Sequence, residues 1–298
     1  MSLPTHVKIV EVGARDGLQN ESTPVSVEVK ISLIEKLAEA GLPVVEAASF
    51  VSPKWVPQMA GSVDVFKGIN QKANVNYPAL VPNIRGLESA LESGVKEIAV
   101  FAAASESFTQ KNINCSIEES INRYTEVIEK ALENDLKVRG YVSCTLGCPY
   151  EGEIASTKVA EVSKRLSDLG CYEISLGDTI GTGTPIKAQQ MIETVAKQVP
   201  MDQLAAHFHD TYGQALANLF AVMQLGISTI DSSVSGLGGC PYAKGATGNV
   251  ATEDVIYMLN GMGIETGVDL DKLLEAGRYI SDQLGRKPNS NVGVARYS

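Results

Sequence analysis

Short apolar runs alternate with longer segments of helical periodicity along the whole 298-residue chain. Several of the runs are apolar at nearly every position, which is typical of parallel strands buried on both faces. The predicted strands are residues 7–13, 44–50, 75–81, 97–102, 137–144, 172–176, 204–208 and 229–234. Helical spacing lies between them, most clearly over residues 27–40, 117–132, 157–169 and 214–225.

Eight strand-then-helix units predict an α/β protein with a TIM (β/α)8 barrel, formed by a single catalytic domain over residues 1–298. Residues 269–284 predict an added C-terminal helix. The alternative is an open doubly wound sheet, which usually carries phosphate-binding glycines in its first βα turn. Here that turn reads GARDGLQNE, with charged and polar residues at the end of the strand, which favours the barrel.

Composition narrows the class of protein. A hydrophobic fraction of 44% and a charged fraction of 20% are ordinary for a folded globular domain. The net charge of −10 argues against nucleic-acid binding, which needs a basic surface. The longest apolar runs fall far below the roughly 20 residues of a membrane span. The N-terminal residues show neither the basic start and apolar stretch of a signal peptide nor the composition of a transit sequence, so we expect a cytoplasmic protein without a membrane partner.

The tripeptide HFH ends the seventh predicted strand, and it contains two of the three histidines in the chain. Residues i and i+2 of a strand project on the same face, so His207 and His209 can reach one ion. A hydrogen-bonded structural pair is the alternative. A barrel brings the end of strand 1 close to strand 7, and this adds the Asp16 carboxylate. Imidazole plus carboxylate is a ligand set for Mg²⁺, Mn²⁺, Fe²⁺, Co²⁺ or Zn²⁺, and Asn249 can add an amide oxygen.

Other strand ends carry candidate catalytic groups, because barrel enzymes place their chemistry there. Arg15 beside Asp16 supplies a permanent cation for an enolate oxyanion, although adjacent charges are also typical of a solvated loop. The loop over residues 236–249 has five glycines and contains Cys240. It predicts either a tight phosphate-cradling turn or a mobile flap that delivers the thiol as an acid or base. Glu46 and Asp178 lie in or at the end of strands 2 and 6.

Four stretches resemble the 3-hydroxy-3-methylglutaryl-CoA lyases of the metal-dependent TIM-barrel lyase and synthase superfamily. These are EVGARDGLQNE (11–21), EAASFVSPKWVPQM (46–59), HFHDTYGQALAN (207–218) and GLGGCPYAKGATGNVATED (236–254). The arginine–aspartate pair and the two histidines are shared with isopropylmalate and homocitrate synthases, whereas the cysteine-bearing glycine loop is specific to the lyases. The resemblance implies metal-assisted retro-Claisen cleavage of the acyl-CoA to acetoacetate and acetyl-CoA, as in leucine catabolism.

The resemblance also implies residue roles. Mg²⁺ or Mn²⁺ is held by Asp16, His207, His209 and Asn249. Arg15 stabilises the enolate, Cys240 is the catalytic thiol, and Glu46 and Asp178 are acidic residues of the active site. As a separate hypothesis, Asp178 or a metal-bound water is the candidate base. For the acyl-CoA substrate, the predicted contacts are Arg15, Gln19, Ser49, Lys111 and Asn112.

Three alternatives remain from the sequence. A Claisen-type synthase on the same barrel would join acetyl-CoA to a 2-oxo acid, and an aldolase would act on a hydroxy-oxo acid. The third is a non-catalytic metal- or CoA-binding barrel, although such a protein would not require the arginine, the cysteine and the metal ligands together. A homodimer is expected from barrel enzymes in general.

Overall fold

The computed structural model describes residues 3–239 and 248–296, where parallel strands form one sheet surrounded by helices. The predicted TIM-barrel architecture is confirmed. The strands, in chain order, are β1 (Lys8–Glu11), β2 (Val44–Val45), β3 (Ala48–Ser49), β4 (Ala79–Leu80), β5 (Glu97–Ala103), β6 (Lys137–Ser143), β7 (Glu173–Asp178), β8 (Leu204–Phe208) and β9 (Thr229–Ser232).

The sheet closes on itself through the segment that contains β2 and β3. In the order β2-β1-β9-β8-β7-β6-β5-β4-β3, these two short strands lie at opposite ends, yet they follow each other along the chain. Glu46 N–H donates to the Glu11 carbonyl on one side, and Ala47 N–H donates to the Pro78 carbonyl on the other, both at 2.9 Å. The closed barrel therefore brings β1 directly beside β9, and β8 lies next to β9.

The helices cover the outside of the barrel and bury their apolar faces against it. They are α1 (Val27–Glu39), α2 (Ser62–Gly68), α3 (Ile84–Glu92), α4 (Glu106–Ile113), α5 (Ile117–Glu133), α6 (Ser156–Asp168), α7 (Pro185–Val195), α8 (Ala215–Met223), α9 (Thr252–Gly261), α10 (Leu270–Leu284) and α11 (Asn291–Ala295). Several begin at serine caps; Ser116 and Glu119 form a complete capping box at the start of α5. Within residues 3–239 and 248–296, no helix is both long and apolar enough to cross a membrane.

The predicted C-terminal helix is present as α10, and the Asp269 carboxylate caps it by accepting from Asp271 and Lys272 N–H. The strand predicted over residues 75–81 is shorter in the structure, where the regular strand covers only Ala79–Leu80. Pro78 and Pro82 lie on either side of this strand, and prolines have no N–H to donate to a neighbouring strand. This shortening does not change the order of the barrel.

Two kinds of core fill the molecule. The larger one is apolar and lies between the strands and the helices. The barrel interior instead contains buried charged side chains, including Arg139, Glu173 and Asp231, each at most 4% exposed. Because buried charges are stable only when paired, these side chains are expected to form a connected polar network.

Candidate metal centre and active site

Asp16, His207 and His209 meet at the carboxyl-terminal end of the barrel. Each offers one ligand atom, and these three atoms lie within 4.8 Å of one another. His207 belongs to β8, whereas His209 lies just beyond it, and their ring centroids are 5.6 Å apart. His207 Nε2 faces Asp16 Oδ2 at 3.9 Å, a separation suited to two ligands of one ion. The convergence predicted from the HFH motif and strand 1 is therefore present in the fold.

The turn that carries Asp16 begins at Gly13 and ends at Gly17. Residues Gly13–Gly17 form one wide π-type turn directly after β1, in which Gly17 N–H donates to the Val12 carbonyl at 3.1 Å. A Cβ on Gly17 would lie 2.7 Å from both Leu237 Cβ and Ser233 Oγ, so a larger residue would push the turn away from the barrel. Single π-type turns are frequent at functional sites, and this one directs Asp16 towards the histidines.

Asn249 completes the candidate ligand set. It pairs with His209 in an isolated β-bridge, and its Nδ2 donates to Asp16 Oδ2 at 2.8 Å. Within the described part of the chain, Asn249 Oδ1 is a buried acceptor without a hydrogen-bond partner. Buried acceptors are normally satisfied, so this oxygen fits the binding of a cation. The nitrogen and oxygen donors of these four residues fit a divalent cation.

The electrostatics of the ligands also fit a cation. Burial alone would raise the pKa of Asp16, but the Arg15 guanidinium, the two imidazoles and the Asn249 amide together outweigh it, and the pKa falls to about 2. Burial lowers the pKa of His209 to about 4, so this imidazole is neutral at physiological pH. A carboxylate and a neutral imidazole are the protonation states that metal binding requires.

Arg15 lies beside the candidate ion and between two carboxylates. Its Nη1 is 2.7 Å from Asp16 Oδ1, and its Nη2 is 2.7 Å from Glu46 Oε2. Burial disfavours the charged guanidinium, yet the two carboxylates raise the pKa of Arg15 above its ordinary value. The Nε–H donor of Arg15 is buried without a partner among the described residues. Arg15 is thus a fixed cation that still has hydrogen-bonding capacity for a ligand.

Asp178 lies at the end of β7, where its carboxylate organises the following turn. Oδ1 accepts from Thr182 N–H at 3.2 Å and Oδ2 accepts from Gly183 N–H at 2.8 Å. Burial raises the pKa of Asp178 to about 6, and the backbone donors only partly offset this effect. The group can therefore change protonation near neutral pH, as a general base must.

Comparison with known proteins assigns the family. The family model described as HMGL-like matches residues 6–280. The chain belongs to the HMGL-like family. This HMGL-like protein is 59% identical to the mitochondrial hydroxymethylglutaryl-CoA lyase of Gallus gallus, with 99% of each chain covered. It is 60% identical to a cytoplasmic 3-hydroxy-3-methylglutaryl-CoA lyase of Mus musculus, covering 99% of this chain and 86% of the other.

Solved structures agree with this assignment. The hydroxymethylglutaryl-CoA lyase of Pseudomonas aeruginosa superposes on the HMGL-like protein with a TM-score of 0.98 at 59% identity, covering 99% of this chain and 98% of the other. An HMG-CoA lyase of A. baumannii, solved in complex with coenzyme A and 3-methylmalate, gives a TM-score of 0.94 at 34% identity, covering 99% and 97%.

The predicted substrate contacts of the HMGL-like protein lie in different surroundings. Ser49 ends β3 and has a buried hydroxyl without a partner among the described residues, and Gln19 is half-buried just after the Asp16 turn. Lys111 and Asn112 are exposed on α4, and Lys111 Nζ lies 3.8 Å from the centroid of the Tyr150 ring. Cys240 lies outside the described residues. All five roles remain predictions.

Sequence reasoning missed a set of interior groups below the metal centre of the HMGL-like protein. Asp231 accepts from Arg139 through both carboxylate oxygens and contacts His207 Nδ1 at 3.1 Å. Tyr141 lies between two guanidinium groups, with Arg139 Cζ 5.0 Å and Arg15 Cζ 5.5 Å from its ring centroid. The available signal was a charged residue within an otherwise apolar strand, as in KVRGYVS and TIDS.

Proposed function

We propose that this protein cleaves 3-hydroxy-3-methylglutaryl-CoA into acetoacetate and acetyl-CoA, using Mg²⁺ or Mn²⁺. The observation that carries the proposal is the convergence of Arg15 with the ligand set Asp16, His207, His209 and Asn249. The names of the relatives support the same reaction. A divalent cation held by these four residues supplies Lewis-acid polarisation of the substrate oxygens.

The reaction requires one proton to leave oxygen and another to reach carbon. Asp178, with a pKa of about 6, is the proposed acceptor of the tertiary hydroxyl proton. The bond between the carbinol carbon and the thioester α-carbon then breaks, giving the ketone of acetoacetate and the enolate of acetyl-CoA. Cys240 is the proposed donor that returns a proton to this carbon.

Arg15 is proposed to stabilise the enolate. The guanidinium is oriented by Asp16 and Glu46 before substrate arrives, so little reorganisation is needed when negative charge develops. Glu46 is in turn held by Arg15 Nη2 and by the Tyr141 hydroxyl, which donates to Oε2 at 3.2 Å. We therefore propose that Glu46 acts by fixing the direction of the guanidinium.

Substrate recognition is proposed at the same edge of the barrel. Ser49 and Gln19 would contact the acyl group, since Ser49 presents a buried hydroxyl at the end of β3. Lys111 and Asn112 on α4 would contact the CoA moiety. A lysine supplies a point charge for phosphate, which a protein of net charge −10 must provide locally.

The test is an assay of the purified full-length protein with Mg²⁺ or Mn²⁺ and the acyl-CoA. We expect acetoacetate to form without release of free thiol, because the acetyl thioester stays intact. A Claisen-type synthase would instead release free CoA from acetyl-CoA and a 2-oxo acid, which a thiol reagent detects. Metal binding without either product would support the non-catalytic alternative.

We also propose a single catalytic domain over residues 1–298, a homodimer and a cytoplasmic location. The curated relatives include both mitochondrial and cytoplasmic proteins. Light scattering tests the dimer, limited proteolysis tests the single domain, and fractionation of the source cells tests the location. A monomer would contradict the homodimer, a stable proteolytic half would contradict the single domain, and an organellar pool would contradict the cytoplasmic location.

A further inference from the structure

Asp231 is a buried carboxylate that directly contacts a proposed metal ligand. It lies in β9 opposite His207 of β8, and this register places both side chains on the inner face of the barrel. Its exposed fraction is 0%. Strand neighbours of this kind keep a fixed separation, so the position of the carboxylate relative to the imidazole is set by the ladder.

The hydrogen bonds around Asp231 determine how the His207 ring is used. Oδ2 lies 3.1 Å from His207 Nδ1 and also accepts from Ser175 Oγ at 2.7 Å. Because an ionised carboxylate can only accept, the proton of a neutral His207 ring must lie on Nδ1. The lone pair is then on Nε2, which is the atom that faces Asp16. The carboxylate thus selects the tautomer that a metal needs.

Arg139 keeps Asp231 ionised and in place. Its Nη1 and Nη2 donate to the two carboxylate oxygens at 3.0 and 2.7 Å, a bidentate pair at 1% exposure. A guanidinium bound to both oxygens favours the ionised carboxylate over the neutral acid. Arg139 Nε donates to Glu173, which also pairs with Lys8. The two cations and two carboxylates balance, so a charged Asp231 is tolerated in the interior.

We propose that Asp231, fixed by Arg139, is a positioning residue that holds the His207 imidazole in the orientation and tautomer required by the divalent cation. The inference rests on the metal site proposed above. Partners of this kind are typically worth 10- to 100-fold in metal affinity, roughly, because they fix the ring before the ion arrives. A carboxylate that only supported the fold would affect stability and leave affinity unchanged.

The first experiment measures Mn²⁺ binding to the metal-free full-length protein, using the paramagnetic resonance signal of free Mn²⁺. We expect Asp231→Asn to raise the Kd roughly tenfold or more, because a neutral amide is a weaker acceptor for Nδ1–H. The matched control is Asp254→Asn, a buried carboxylate that accepts from Ser290, Asn291 and Val292 but does not contact the proposed ligands in the described structure. Its Kd should equal that of the wild type.

The second experiment takes its deciding result from the wild type, so that result does not depend on a variant that might misfold. The chain has only three histidines, so a long-range ¹H–¹⁵N spectrum resolves each ring, with His6→Gln as an assignment aid. We expect His207 of the metal-free wild type to be the Nδ1–H tautomer. Asp231→Asn should lower the share of that tautomer, and Ser175→Ala, which leaves Asp231 charged, should retain it.

Either of two results overturns the inference: an Nε2–H tautomer at His207 in the wild type, or a Kd for Asp231→Asn within about twofold of the wild type. Neither measurement uses the acyl-CoA. Acetoacetate formation with an unchanged Kd would refute the positioning role alone. A raised Kd in a protein that forms no acetoacetate would refute the proposed function alone, and a wild type that binds no Mn²⁺ would refute both.

Discussion

Replacing Arg15 by glutamine tests the centre of the proposed mechanism. The guanidinium makes two 2.7 Å ion pairs, one with Asp16 and one with Glu46, in a site where Glu46 is fully buried. Glutamine keeps a polar side chain but removes the charge. The substitution therefore acts on stability, through the stranded Glu46 carboxylate, and on catalysis, through the lost cation.

The two effects appear in different measurements and can be separated. Breaking one partner of a buried ion pair costs about 3–5 kcal/mol. Burial already raises the pKa of Glu46, so this carboxyl can take up a proton and limit the loss to about 3 kcal/mol or less. Loss of a preorganised donor to the oxyanion should lower kcat by about 10²–10³, equivalent to about 3–4 kcal/mol.

The assay combines urea unfolding with the rate of acetoacetate formation. In the double variant Arg15→Gln/Glu46→Gln the stranded carboxylate is absent, so we expect more than half of the lost stability to return. The kcat of the double variant should stay about 10²-fold or more below that of Glu46→Gln alone. If Arg15→Gln has no effect on turnover in the Glu46→Gln background, the arginine only neutralises Glu46 and the enolate role is wrong.

Three further predictions concern the metal, the pH and the glycine loop. Mn²⁺ at about 100 times its Kd should stabilise the wild type against thermal unfolding by about 2.7 kcal/mol, and most of this stabilisation should be absent from Asp16→Asn. Equal stabilisation of the two proteins by Mn²⁺ would contradict the assignment of Asp16 as a ligand. Burial raises the pKa of Glu253 to about 8 in the folded protein, so the folded state holds this proton more tightly than the unfolded chain does. The protonated Glu253 carboxyl therefore stabilises the fold fully below about pH 4.5, and this stabilisation is lost as the pH rises to about 8. In urea unfolding, the free energy of unfolding of Glu253→Gln should fall less steeply with pH than that of the wild type, by up to about 1.4 kcal/mol per pH unit. Parallel curves of unfolding free energy against pH for the two proteins would contradict the raised pKa. A Cβ on Gly248 would lie 2.5 Å from the Gly238 carbonyl carbon, so Gly248→Ala should displace Asn249 and weaken Mn²⁺ binding, whereas Gly261→Ala, with open space among the described residues, should not.

Much of the fold could be predicted because its signals are local. Apolar runs located the strands, and the residues 204–208 were predicted with the bounds that the structure gives. Prediction of the metal centre also required the order of the strands, since Asp16 and His207 are distant in sequence. A closed parallel barrel places strand 1 near strand 7, and this order brings the two residues together.

The interior network could not be predicted, because the pairing of Arg139 with Asp231 joins residues 92 positions apart and depends on which side chains share the barrel interior. The sequence shows each charge alone, and an isolated charge in a strand does not name its partner. Pro78 and Pro82 have no N–H to donate to a neighbouring strand, and both can be read from the sequence. The length of the strand between them also depends on the neighbouring strands, which the sequence alone does not show.

The hydrogen bond between Asn249 and Asp16 spans 233 positions, and it joins proposed ligands from the first and the last strand-to-helix connections of the barrel. A chain emerging from the ribosome must therefore expose the whole stretch from Asp16 to Asn249 before it can offer the complete proposed ligand set. Nascent chains and amino-terminal fragments should not retain the ion as the finished protein does. If these residues hold the proposed metal, its capture would report that the barrel has closed.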